Sequence, residues 1–149
     1  MVEPLLELEK KYSFDLIVIA DKNPQLPLKG FKFIKWNRES EIEDLLNCNI
    51  GIMPLTDLAF AEGKCGFKII QFLSLGIPTV ASPVGVNKVI IEEAVNGFLC
   101  TSKEQWYFSL EKLLVNAELR QRMGAAGRER IEKKYSVQSN TINFLSLFG

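Results

Sequence analysis

Gly63-Lys64-Cys65-Gly66-Phe67-Lys68-Ile69-Ile70-Gln71-Phe72-Leu73-Ser74-Leu75-Gly76-Ile77-Pro78-Thr79-Val80-Ala81-Ser82 runs from a glycine-bearing loop into a short helix and then into a buried strand. Gly76 stands where a helix is closed by a residue with positive φ, and Pro78 cannot continue a helix beyond it. Thr79-Val80-Ala81 is then short, apolar and β-branched enough for a strand covered on both faces. At the other end of the helix, Gly66 lets the backbone approach a ligand and Lys68 adds a cation. The first-turn N–H groups have no intrahelical partner, so phosphate is a natural guest. An ordinary loop with an exposed lysine has the same spacing.

Working outward, the same alternation of strand and helix recurs. Residues 4–12 place Leu5, Leu8 and Tyr12 on one helical face. Phe14-Asp15-Leu16-Ile17-Val18-Ile19-Ala20 is a nearly continuous apolar run, which predicts a strand buried on both faces of a parallel sheet. Residues 31–36 predict a second strand ending at Trp36. Asn37 and Ser40 are candidate caps for a helix through Leu45, and residues 50–55 predict a third strand closed by Pro54. After the opening stretch come a helix expected over 88–95, an Asn96-Gly97 turn, a short strand at 98–100, and a helical last third capped by Ser102, with a final helix over 137–147. Five strands alternating with helices predict one α/β domain with a doubly wound, mostly parallel, Rossmann-like sheet, whose ligands sit outside the carboxyl ends of the strands.

Composition narrows the chemistry. The 149 residues are 47% hydrophobic and 24% charged, which suits one domain with a real core. Lys and Arg total 18, as do Asp and Glu, so no global field draws nucleic acid or an anionic membrane, and an anion site must be local. The chain has no histidine, which removes Ser-His-Asp and Cys-His catalysis and the commonest metal sites. Its three cysteines, Cys48, Cys65 and Cys100, show no C-x-x-C spacing, which argues against a disulfide framework or zinc and for a cytoplasmic setting. No apolar run approaches the roughly 20 residues of a membrane span, so membrane contact is expected to be peripheral at most.

The stretch from Gly66 to Gly85, with Asn96-Gly97-Phe98-Leu99 and the tail from Arg120 to Ser136, resembles the signature of the group 1 (family 4) retaining glycosyltransferases. The matching part is the C-terminal, donor-binding half of their two-domain GT-B fold. The resemblance implies transfer of a sugar from a nucleotide-diphosphate donor, with no further cofactor and no metal. Gly66, Phe67 and Lys68 fall where the family's helix start meets the diphosphate and sugar, and Gly63 and Lys64 lie in the loop before it. The family's two glutamates, seven residues apart, fall here on Gly63 and Gln71. Gln71 can still meet a ribose diol through its amide, whereas Gly63 has no side chain to offer a sugar. Trp36 falls where the base-binding loop begins, which makes it a candidate wall for a nucleobase, although a tryptophan ending a strand is also ordinary core.

The same resemblance implies missing parts. A first strand, its glycine-bearing loop and a basic pair would precede the helix at residues 4–12, and an acceptor domain would precede those. The chain is therefore expected to be an N-terminally truncated donor domain, inactive or nearly so alone, with the acceptor domain as its partner. Loss of a central strand would expose sheet edges that invite dimerisation or a partner. Two other expectations compete with a catalytic donor domain. One is a degenerate domain serving as a scaffold or regulatory binding module. The other is an unrelated doubly wound domain such as a receiver, for which Asp21 and Asp57 are poorly spaced.

Overall fold

The computed structural model describes residues 1–55 and 66–148, and within them the chain forms seven helices and five strands. In order these are α1 (Val2–Glu9), β1 (Leu16–Ala20), β2 (Phe31–Lys35), α2 (Glu41–Leu46), β3 (Gly51–Met53), α3 (Phe67–Ser74), β4 (Thr79–Ala81), α4 (Asn87–Ile90), β5 (Gly97–Leu99), α5 (Lys103–Val115), α6 (Ala117–Lys134) and α7 (Val137–Leu145). The expected α/β, Rossmann-like architecture is present, and every strand pair is parallel.

The strands fall into two sheets. β1 pairs with β2, in register from Leu16 opposite Phe31 to Ala20 opposite Lys35. β3, β4 and β5 form the second sheet, with Gly51 opposite Thr79 and Val80 opposite Phe98. Among the described residues β1 and β3 do not pair. This explains why every residue of β1 is only half-buried, although its unbroken apolar run predicts burial on both faces.

Alternation along the strands sorts side chains into two cores. Val80 and Ile52 join Leu5 and Leu8 of α1 and Trp106, Leu110 and Leu113 of α5. Ala81 and Met53 point the other way, to Ile69 and Leu73 of α3, Ile90 of α4 and Ile131 of α6. Helices thus cover both faces, and each fully buried leucine among them contributes roughly 1.5–3 kcal/mol of burial.

The helix ends follow local chemistry. Ser102 caps α5, as the sequence suggests, and the structure adds Gln105 to make a reciprocal capping box, while Asn116 caps α6 through the N–H of Leu119. Ser40 precedes α2 but does not cap it, because its hydroxyl donates to the Asp44 carboxylate instead. The helix expected over 88–95 stops at Ile90. Asn96, fully buried, accepts from the N–H of Glu92 and donates to the carbonyl of Ile90, holding the backbone in a turn.

Gly76 ends α3 at φ 73°, as its position after the helix predicts. Its carbonyl lies against α6 so closely that a Cβ on Gly124 would stand 1.9 Å from that oxygen. Gly124→Ala is therefore expected to cost about 1–3 kcal/mol through forced separation of α3 and α6. Urea unfolding measures this, and a variant as stable as the parent would show that the two helices do not meet so closely.

Candidate functional site

Because the strands of each sheet are parallel, their carboxyl ends share one edge, and the contacts of Glu41, after β2, with Lys68 and Gln71, after β3, bring the residues beyond those ends together. Gly66 opens α3 in the left-handed region at φ 66°, with its α-carbon against Ile90 and Val86. A Cβ there would sit 2.4 Å from Ile90 Cδ1, so both conformation and space call for glycine. The N–H groups of Gly66, Phe67 and Lys68 meet no acceptor among the described residues, whereas that of Ile69 is bonded to the Gly66 carbonyl. Beside them, Ser82 ties two strand ends together. Its hydroxyl accepts from the N–H of Leu55, and its carbonyl accepts from buried Asn87.

The carboxylate of Glu41, at the start of α2, organises the side chains at this edge. One oxygen accepts from the indole N–H of Trp36 at 2.9 Å and from the ammonium of Lys68, and the other accepts from the amide of Gln71 at 3.1 Å. Only 15% of the Glu41 side chain is exposed. The Lys68 ammonium, the Trp36 indole and the Gln71 amide together hold its carboxyl down to a pKa of about 2, against the burial that opposes ionisation.

Gln71 is 8% exposed, and its Oε1 is buried with no hydrogen-bond partner among the described residues. The amide cannot profitably turn over, since that would aim oxygen at the Glu41 carboxylate. An unpaired buried acceptor costs roughly 1–3 kcal/mol, so this oxygen is a poised acceptor beside the helix start.

Four of the residues singled out in the sequence, Gly66, Phe67, Lys68 and Gln71, are thus brought together on α3. Trp36 joins them only through Glu41. It is 41% exposed, so it is not core. Gly63 and Lys64 lie outside the described residues. Glu41 is the functional candidate that the sequence did not announce, because its partners on α3 are 27 and 30 positions away. Among the described residues no three metal-ligating side chains converge, and no helix is long and apolar enough to cross a membrane.

A cleft of about 740 Å³ opens below Glu41 and Lys68 and runs down between β1 and β3. The family model of the group 1 glycosyl transferases matches residues 25–130, which takes in β2 to most of α6. The chain belongs to the group 1 glycosyltransferases. No curated protein sequence matches it. Among solved structures, it is similar to the C-terminal domain of a group 1 family protein, LpcC, from Francisella tularensis. The TM-score is 0.74 at 22% identity, over 92% of this chain and 78% of that one. HepE of Anabaena, solved in complex with UDP and glucose, matches with a TM-score of 0.77 at 16% identity, over 99% of this chain. A sucrose-phosphate synthase from Thermosynechococcus elongatus matches with a TM-score of 0.75 at 15% identity, over the same share. The chain spans 44% of the HepE chain and 41% of the synthase. The fold of this group 1 domain is that of the C-terminal half of a GT-B enzyme, as the motif order implies.

The Glu41 cluster gives the domain a characteristic acid response. A carboxyl whose pKa falls from 4.5 to about 2 on folding stabilises the native state fully above 4.5, and that contribution is lost as pH drops through 2. The stability difference between the parent and Glu41→Gln should be full at pH 7, smaller at pH 3 and nearly gone at pH 2, as followed by urea unfolding. A difference independent of pH would remove the charge from the account.

Proposed function

We propose that this domain binds a nucleotide-diphosphate sugar at the amino end of α3 and is the donor half of a retaining glycosyltransferase. The observation that carries this reading is the convergence of open first-turn N–H groups, the Lys68 ammonium and the buried, unpartnered Gln71 Oε1. The N–H groups and Lys68 suit a diphosphate, and the Gln71 oxygen suits a hydroxyl donor such as a ribose diol. The UDP and glucose of the Anabaena complex lend support by likeness of fold.

In this reading Lys68 exchanges the Glu41 carboxylate for the diphosphate when donor arrives. As the bond from the sugar's anomeric carbon to the diphosphate breaks, its electron pair passes to the leaving phosphate oxygen, the acceptor oxygen bonds to the anomeric carbon, and the acceptor's proton leaves with the diphosphate. The helix start and Lys68 stabilise that growing charge. Gly63 and Lys64, outside the described residues, are expected to border the donor sugar, and Trp36 is expected at the margin of the nucleobase. The acceptor hydroxyl would be presented by a second domain, so this chain alone is expected to bind donor and to transfer little or nothing. The setting is taken as cytoplasmic, where nucleotide sugars are the substrate.

The Glu41–Lys68 ion pair also suits a second reading, a degenerate donor domain whose cation is permanently satisfied and which serves as a scaffold. Calorimetry separates the two. On the donor reading UDP or GDP binds, and Lys68→Ala weakens it about tenfold, or roughly 1.4 kcal/mol, while leaving the free nucleoside unaffected. Absence of heat with both nucleotides, and with UDP- and GDP-sugars, would establish the scaffold instead.

A further inference from the structure

Glu41 has more to offer than a hold on Lys68. A carboxylate has about four acceptor positions. Among the described residues this one receives a bond from Trp36 and one from Lys68 on Oε1, and a single bond from Gln71 on Oε2. Oε2 therefore keeps a position open. The Gln71 amide that donates to it at 3.1 Å carries its own unpartnered oxygen on the same carbon. Two unsaturated acceptors thus stand side by side, one charged and one neutral.

Both acceptors are held in place before any ligand arrives. The indole of Trp36 and the amide of Gln71 fix the carboxylate from two sides, and Gln71 is itself buried on α3. Glu41 keeps 15% of its side chain open to solvent, so the pair is reached from the carboxylate side. A ligand that satisfies both must bring two donors on neighbouring atoms, and little further ordering of the protein is then required.

A nucleotide can offer such a pair in two places, the vicinal hydroxyls of its ribose and the edge of its base. Position along α3 decides between them. Lys68 and Gln71 are three residues apart on one helical face, about 4.5 Å along the axis. The group that meets Gln71 while the diphosphate meets Lys68 is the one attached next to the phosphates, and in a nucleotide that is the sugar. The base lies beyond it.

We propose that Glu41 makes this site select ribonucleotide donors, its carboxylate accepting one hydroxyl of the ribose diol while Gln71 Oε1 accepts the other. The inference rests on the donor reading above and narrows it. Sugars carried on uridine, guanosine or adenosine diphosphate present both hydroxyls and fit. Those carried on deoxythymidine diphosphate present one, leave an acceptor of the shielded pair empty, and are disfavoured.

Calorimetry on the 149-residue chain tests this with UDP, 2′-deoxy-UDP and 3′-deoxy-UDP. The parent is expected to bind each deoxy form roughly tenfold or more weakly than UDP. In Glu41→Gln, which keeps the shape and removes the charge, the penalty for one of the two should fall to about twofold, and UDP itself should weaken about tenfold. Glu41→Asp draws the charge back by one methylene and should lose the same preference, which covers the case of an amide variant that does not fold. No heat with UDP in the parent would withdraw the donor reading and this inference with it. Binding of UDP without a deoxy penalty would overturn the inference alone, and so would a penalty that the folded variants keep. A Glu41→Gln chain that keeps both penalties but changes its preference between UDP and GDP would assign the carboxylate to the base and likewise overturn it.

Discussion

Parallel strands cannot be joined by tight turns, and that constraint arranges almost everything else in this domain. Each strand must be followed by a passage back along the sheet before the next begins, so the starts of the crossover helices accumulate at one edge. α3 and α5 begin there, and so do the segments carrying Trp36, Ser82 and Asn87. The site owes its location to this geometry before any side chain contributes. Gly66, Glu41 and Gln71 then convert a generic helix start into one with an open row of N–H donors, a cation held by a carboxylate and a single poised acceptor.

Much of this was legible in the chain, for reasons that differ by element. α3 and β4 could be read because their boundaries are local: Gly66 opens the helix, Gly76 closes it, and the β-branched residues after Pro78 suit only an extended backbone. The cap at Ser102 is equally local. The helix after Gly85 is shorter than its sequence predicts because what shortens it, the side chain of Asn96, acts back across six positions on the carbonyl of Ile90. β1 looked like a doubly covered central strand, and its composition is that of one; its half-buried state depends on what lies beside it. Burial is a property of neighbours, and no pattern within five residues can report it.

The site was legible as positions and not as partnerships. Gly66, Phe67, Lys68 and Gln71 follow from one stretch and one helical repeat. That Lys68 is engaged, that Gln71 has one hand occupied and one free, and that Trp36 is tied to both, are consequences of Glu41 arriving from another helix. Long-range polar contacts leave no spacing rule in the sequence.

The two tryptophans now occupy opposite environments. Trp106 is buried at the junction of α5 with the sheet, whereas Trp36 is half open and holds a carboxylate through its indole N–H. The protein therefore carries two built-in optical reporters, one for the integrity of the core and one for the electrostatic state of the helix start. A change in emission confined to the solvent-facing indole would register events at Glu41 while the buried one certifies that the fold is intact.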